Sequence, residues 1–278
     1  MIHTQIRKLP ELTQRIIAGV VGASIILVAI VISEWGYFLI FGFISVATML
    51  EFYKLIGLDG YLPLKRYGTV LGFLLFVLTF FIEWGKFSPK YYHLMFLGFS
   101  VAYLIKLYKP NDPTPMKNLG FTFLGILYVG LPFALLNMAI FYDGVYHYEV
   151  IMGSLFLIWA NDSGAYFAGK NFGKRKLFER ISPKKTWEGS IGGAILSILV
   201  GQAFAYFYNT LNNWQWLAIS VIIVVAGTYG DLVESLFKRS MAIKDSGDAI
   251  PGHGGFLDRF DSLILSAPFI VAFIRLFN

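Results

Sequence analysis

The chain has 278 residues, 56% of them hydrophobic and only 14% charged, with a formal net charge of +6 and no cysteine. Soluble domains carry roughly 45–50% apolar and about 25% charged residues, so this composition excludes a soluble globular fold and identifies an integral membrane protein. The lack of thiols excludes disulfides, thiolate metal sites and a cysteine nucleophile.

Apolar stretches close to the ~20 residues needed to cross a bilayer recur from end to end, with no soluble domain between them. They predict an all-α, polytopic fold of about nine transmembrane helices, near residues 14–33, 35–56, 67–83, 89–108, 119–141, 149–169, 190–208, 216–236 and 260–277. Residues 1–148 read as a multi-span hydrophobic region and 149–278 as the region that carries motifs. The opening MIHTQIRKLPELTQR is polar and no small-residue cleavage site follows it, so no removable signal peptide is expected. Counted over successive connections, 20 of the 23 lysines and arginines fall on one side, leaving Lys86, Lys90 and Arg275 opposite. The positive-inside rule then predicts a cytoplasmic amino terminus and an outside carboxy terminus.

The first five predicted spans hold few internal charges. Glu51 and Lys54, three residues apart near a cytoplasmic end, read as a pair or as snorkelling side chains. Glu34 with Trp35, Glu83 with Trp84, and Trp214 with Trp216 fall at predicted outer boundaries, where amphipathic rings favour the headgroup zone. The proline-broken segment Lys106–Lys117 reads as a basic anchor for the inner leaflet.

The sixth span continues past its apolar part into Asn161-Asp162-Ser163-Gly164-Ala165-Tyr166. Asn161, Gly164, Ala165 and Ala168 form a small-residue face suited to close packing, whereas Asp162 points elsewhere and needs a proton or a cation. The most basic connection follows, Gly169 to Lys176 and then Ile181 to Gly189, with Ser182, Lys184, Lys185 and Thr186 among glycines and a Ser-Pro turn. That mixture suggests a loop wrapping phosphates with backbone amides and ammonium groups, although neither GxxxxGK[ST] nor GxGxxG is present. Gly189 and Gly193 read as a close helix crossing.

The richest stretch runs from Gly230 to Asp261. Asp231, Glu234, Ser235 and Lys238 share one face of a helix, and Asp258, Asp261 and Ser262 repeat the arrangement at the start of the next. Between them lie Lys244 and a loop with His253, Gly254 and Gly255. Clustered carboxylates without cysteine favour a hard divalent cation with oxygen ligands, Mg2+ (or Mn2+) rather than zinc, with a second cation allowed. Together with lysine-rich, glycine-rich cytoplasmic loops they describe metal-assisted phosphoryl or nucleotidyl transfer. One substrate should be a lipid whose polar head reaches the interface, and the other a cytoplasmic nucleotide; nucleic acid is not an expected partner.

The run Ser235-Leu236-Phe237-Lys238-Arg239, Lys244-Asp245, and Pro251-Gly252-His253-Gly254-Gly255-Phe256-Leu257-Asp258-Arg259-Phe260-Asp261 resembles the signature of CDP-diacylglycerol synthases, also called phosphatidate cytidylyltransferases. Asn161–Tyr166 and Ile181–Gly189 resemble that family's upstream elements, so the motifs cover roughly the last 120 residues. The resemblance implies reaction of CTP with phosphatidic acid to CDP-diacylglycerol and pyrophosphate, at an inner membrane with the active site facing the cytoplasm. It implies Mg2+ on Asp231 and Asp258, with Asp261 as a further ligand, and charge balance by Lys238, Arg239, Lys244 and Arg259. Lys184 and Lys185 would touch nucleotide phosphates. Asn161, Asp162, Ser182, Thr186, Ser235, Gly254 and Gly255 would line the substrate site, with His253 either taking part or shaping its loop. Two rival readings are a polyprenol or dolichol kinase and a transporter using the intramembrane acids as an ion path. The small-residue faces permit a homodimer.

Overall fold

The computed structural model describes residues 11–241, 243, 246–247 and 254–277, with the backbone alone for 11–16 and 18. Nine helices form along the described chain: α1 Glu11–Ile32, α2 Glu34–Leu58, α3 Lys65–Glu83, α4 His93–Leu107, α5 Pro115–Ile140, α6 Tyr148–Phe172, α7 Trp187–Phe207, α8 Asn213–Ser240 and α9 Phe256–Phe277. Six of them, α2, α3, α5, α7, α8 and α9, are long and apolar enough to cross a membrane. The other three lie where spans are predicted but fall short of that test. The described apolar part of α1 is Gly19–Ile32, α4 has 15 residues, or about 22 Å at 1.5 Å per residue, and α6 turns polar from Asn161 onward. Large apolar side chains such as Leu39, Phe43, Val70, Phe96, Ile191 and Leu199 stay exposed on the outer faces; lipid tails can cover such a surface and water cannot.

Local chemistry sets the helix ends. Ser33 is extended between α1 and α2, and its Oγ accepts from Gly36 N at 3.1 Å. Asn212 and Gln215 form a reciprocal capping box at the start of α8. Pro132 cannot donate to the preceding turn, and α5 widens into a π-turn at Ile126–Gly130 just before it. A second π-turn, Ile223–Gly227, interrupts α8 one turn ahead of Asp231. The segment between α6 and α7, expected as a basic loop, is a two-stranded antiparallel hairpin, β1 Lys176–Phe178 and β2 Ser182–Thr186. Glu188 at the start of α7 anchors it by accepting from Lys174 N and Arg175 N at 3.0 and 3.2 Å.

One continuous core runs through the bundle. Rings from α2, α3 and α5 fill part of it, including Tyr37, Phe41, Phe76, Phe80 and Phe133, with Tyr37 stacked on Phe41 at 4.7 Å. Trp216 belongs to the same core, fully buried against Gly153 and 5.2 Å from the Phe204 ring. This corrects the expected interfacial place of Trp216: the α6 glycine leaves a slot that only a large flat side chain fills. Trp35 and Trp214 are exposed at helix ends. Across the α6–α7 crossing, a Cβ on Gly164 would stand 2.7 Å from the Gly192 carbonyl oxygen and 3.0 Å from Gly193 Cα, and Gly169 faces Gly189. The small-residue face of α6 and the Gly189/Gly193 crossing are therefore one interface.

Inter-helix hydrogen bonds sort the connections into two ends. At one end Tyr146 donates to Ile30 O, Tyr142 to Thr210 O, Gln215 to Phe277 O, and Arg275 to Met138 O and Glu83. At the other, Leu62 N donates to Asn118, and Lys106 Nζ donates to Leu62 O and pairs with Asp112. The hairpin and the α8–α9 connection share this second end. Lys106 thus belongs to a buried network that holds the Asp112 carboxyl below its ordinary range, and is not the bare anchor that the sequence suggests. Replacing Gly164 with leucine should wedge α6 from α7. Overpacking of this kind costs about 1–3 kcal/mol, read as a lowered apparent melting temperature of the detergent-solubilised protein.

Candidate active site

The close α6–α7 crossing brings the hairpin back alongside the polar turn of α6. Thr186 closes β2 as the N-cap of α7, its Oγ1 accepting from Gly189 N at 3.2 Å. Because that cap fixes the strand's end, Lys184 and Lys185 face the C-terminal half of α6. A cavity of about 420 Å³ opens between them, lined by Asn161, Asp162, Lys184, Lys185, Thr186 and Asp231, with Gly227 and Thr228 from the π-widened part of α8. Lys185 Nζ lies 2.6 Å from Asp231 Oδ2, and Ser235 donates to Asp231 Oδ1 at 3.3 Å. Asp162 and Asp231 both line this cavity, and Gly230, the residue before Asp231, packs against the Asp261 backbone. Asp261 itself is buried, and the backbone N–H of Ser262 donates to it at 2.5 Å.

A second charged group sits one helical turn away. Lys238 Nζ is 2.9 Å from Glu234 Oε2 and 2.7 Å from Asp258 Oδ1, with all three side chains buried or nearly so. Asp258 Oδ2 also accepts from Ser246 N at 3.1 Å and Gly255 N at 3.0 Å. Gly254 supports this return with a φ of +83°, a conformation that favours glycine.

The expected metal residues are thus divided. Asp231 borders the cavity with Asp261 beside it, whereas Asp258 joins Lys238 and Glu234 and spends both oxygens on protein donors. Among the described residues no group of three or more His, Asp or Glu side chains is placed to hold a metal ion. The carboxylates of Asp162 and Asp231 at the cavity still present oxygen donors, which is chemistry that suits a hard divalent cation. Of the remaining expected site residues, Ser182 lies in β2 away from the cavity lining. Arg239 is exposed at the end of α8, donating to Ile243 O at 3.4 Å. Lys244 and His253 lie outside the described residues.

Arg259 leads elsewhere. It lines a groove of about 600 Å³ that is otherwise apolar, formed by α1, α2, α6 and α9 through residues such as Ile26, Phe43, Ile158, Trp159 and Phe256. The groove and the polar cavity adjoin along α6, where Ile158 and Trp159 line the groove and Asn161 and Asp162 line the cavity.

Two contributors were not expected as site residues. Glu234 could have been found from its i, i+4 spacing to Lys238, the favourable order for a helical ion pair. Glu51, expected to pair with Lys54 or to snorkel, instead accepts from Leu257 N at 2.7 Å, while Lys54 is exposed. No local signal links residues 206 positions apart.

The family model described as "Cytidylyltransferase family" matches residues 13–277, and the chain belongs to that family. The chain is 32% identical to a phosphatidate cytidylyltransferase of Haemophilus influenzae, over 94% of this chain and 98% of the relative. It is 33% identical to a phosphatidate cytidylyltransferase of Bacillus subtilis, over 96% of this chain and 99% of the relative. A phosphatidate cytidylyltransferase of Staphylococcus haemolyticus is 44% identical over 54% of this chain.

Removing one partner from a buried charge group leaves the others unanswered, at a cost of about 3–5 kcal/mol. Lys238→Met should therefore lower the apparent melting temperature markedly and Lys238→Arg much less, as thermal unfolding in detergent would show.

Proposed function

We propose that this protein transfers the cytidylyl group of CTP to phosphatidic acid, giving CDP-diacylglycerol and pyrophosphate. One observation carries the reading: a lysine-and-carboxylate cavity and an apolar groove adjoin along α6, where Ile158 and Trp159 line the groove and Asn161 and Asp162 line the cavity, as a reaction between a nucleotide and a membrane lipid requires. The names of the relatives and the family of the chain support it.

In the proposed reaction a phosphate oxygen of the lipid attacks the α-phosphorus of CTP in line, forming a P–O bond as the bond to the bridging α,β oxygen breaks and pyrophosphate leaves. The attacking oxygen is already anionic, so no residue need remove a proton. Lys184 and Lys185 hold the triphosphate, and Arg259 holds the lipid phosphate at the head of the groove while the acyl chains lie against its apolar walls. Asp231 and Asp261, with Asp162 beside them, would hold Mg2+, while Asp258, kept on Lys238 and two backbone amides, would fix the wall of the site beside them. Bound there, Mg2+ would offset triphosphate charge. The cavity opens at the end of the bundle where the basic connections gather, which we assign to the cytoplasmic side of an inner membrane crossed nine times.

Asp231→Asn and Asp258→Asn should each abolish Mg2+-dependent CDP-diacylglycerol formation by purified protein that still inserts in the membrane; full activity in Asp231→Asn would remove the metal assignment, and full activity in Asp258→Asn would remove the shaping role of the buried charge group. Chelation by EDTA should stop turnover, and added Mg2+ restore it. Labelled CTP incubated with phosphatidic acid should release pyrophosphate. Release of a nucleoside diphosphate would instead mark a lipid kinase.

A further inference from the structure

The side chain of Glu51 comes from α2, far from every motif, yet it reaches the connection between α8 and α9. It is 8% exposed, and its Oε2 accepts from Leu257 N at 2.7 Å in the first turn of α9. A Cβ placed on either Gly247 or Gly255 would collide with Oε1, so the carboxylate lies between the described start and the described end of the connection. Ser246 N and Gly255 N, in those same two segments, donate to Asp258 Oδ2 at 3.1 and 3.0 Å. Glu51 and Asp258 therefore both clasp one neck of backbone, and Asp258 in turn fixes Lys238.

We propose that Glu51 is a positioning residue for the proposed reaction: it holds the Ser246–Gly247 and Gly255–Leu257 segments together, and so sets where Asp258 and Lys238 stand. Glu51 does not line the cavity, so it acts only through them. A carboxylate suits the task because one oxygen accepts from an α9 amide that has no partner within its own helix while the other lies against the glycine pair. Glycine is required at 247 and 255 for the complementary reason, that only a bare backbone leaves room for Oε1. The inference rests on the reaction proposed above, but its structural half does not.

The test uses full-length protein in detergent or nanodiscs, as wild type, Glu51→Gln and Glu51→Ala. In Glu51→Ala, kcat for CDP-diacylglycerol formation should fall about ten- to a hundredfold, the scale of an ångström-sized misplacement. KM for CTP should stay within about twofold, because the cavity lining is unchanged. Without any substrate, hydrogen–deuterium exchange should rise about tenfold at the Leu257 amide and its neighbours, and remain at wild-type rates in α3 and α5. Glu51→Gln, which keeps one acceptor, should restore a large part of both. Gly255→Ala, which crowds Oε1 while leaving Glu51 in place, should reproduce the kcat loss, and it takes the place of Glu51→Ala if that variant does not accumulate. Wild-type kcat and wild-type exchange in Glu51→Ala would overturn the proposal. So would faster exchange spread evenly over all helices, or a glutamine variant no better than alanine. A wild-type protein that does not turn over CTP and phosphatidic acid would sink the reaction but leave the exchange comparison to decide the clasp.

Discussion

A carboxylate held between apolar helices must be answered by a cation, a donor or a proton, because the hydrocarbon around it offers none. In this chain α8 and α9 bring Asp231, Glu234, Asp258 and Asp261 to adjoining faces, and the answers determine how the two helices meet. Lys238 bridges Glu234 and Asp258, Lys185 reaches in from the hairpin to Asp231, and backbone amides supply the rest. The helices can approach this closely only because Gly230 lies against the Asp261 backbone, where a Cβ would stand 2.6 Å from its carbonyl oxygen, and because Ser262 donates to Gly227 O at 3.1 Å. The π-turn over Ile223–Gly227 ends at this contact.

The same need explains why the hairpin exists. A loop of lysines between two membrane helices would gain little from staying ordered, since surface charges are well solvated. Here Glu188 gathers the Lys174 and Arg175 amides, Thr186 caps α7, and β1 and β2 pair across them. The result is a short rigid arm that holds Lys184 and Lys185 over the polar turn of α6. The arm depends in turn on the glycine contacts that let α6 and α7 touch, so packing deep in the apolar layer places the cations at its edge.

Much of this was legible in the sequence. Apolar runs located the helices to within a few residues, and the i, i+3, i+4 spacings put Asp231, Glu234 and Lys238 on one face as found. What stayed hidden was contact between distant segments. Trp216 looked interfacial because tryptophan near a span end usually is, and only the slot beside Gly153 explains its burial. Glu51 looked like a partner for Lys54 because the pair is local. Its true partner is an amide brought near by the tertiary fold, and an amide leaves no mark on residue type. The division of the acids into two groups was hidden for a similar reason, because helical periodicity gives the face on which a residue lies and not which neighbour has already claimed it.

That division separates two tasks by exposure. The side chains of Asp231 and Lys185 are 37% and 26% exposed to the cavity, whereas those of Asp258, Lys238 and Glu234 are 12%, 14% and 2% exposed. An ion pair facing a cavity can part when an incoming phosphate takes the lysine and a cation takes the carboxylate, because each charge is answered throughout the exchange. A buried pair has no such substitute, and parting it would strand a charge in a poorly solvated place. In the proposed reaction, Lys185 and Asp231 are therefore the groups that change partners as substrate enters. Glu234, Lys238 and Asp258, held by the clasp from α2, keep the shape into which substrate comes.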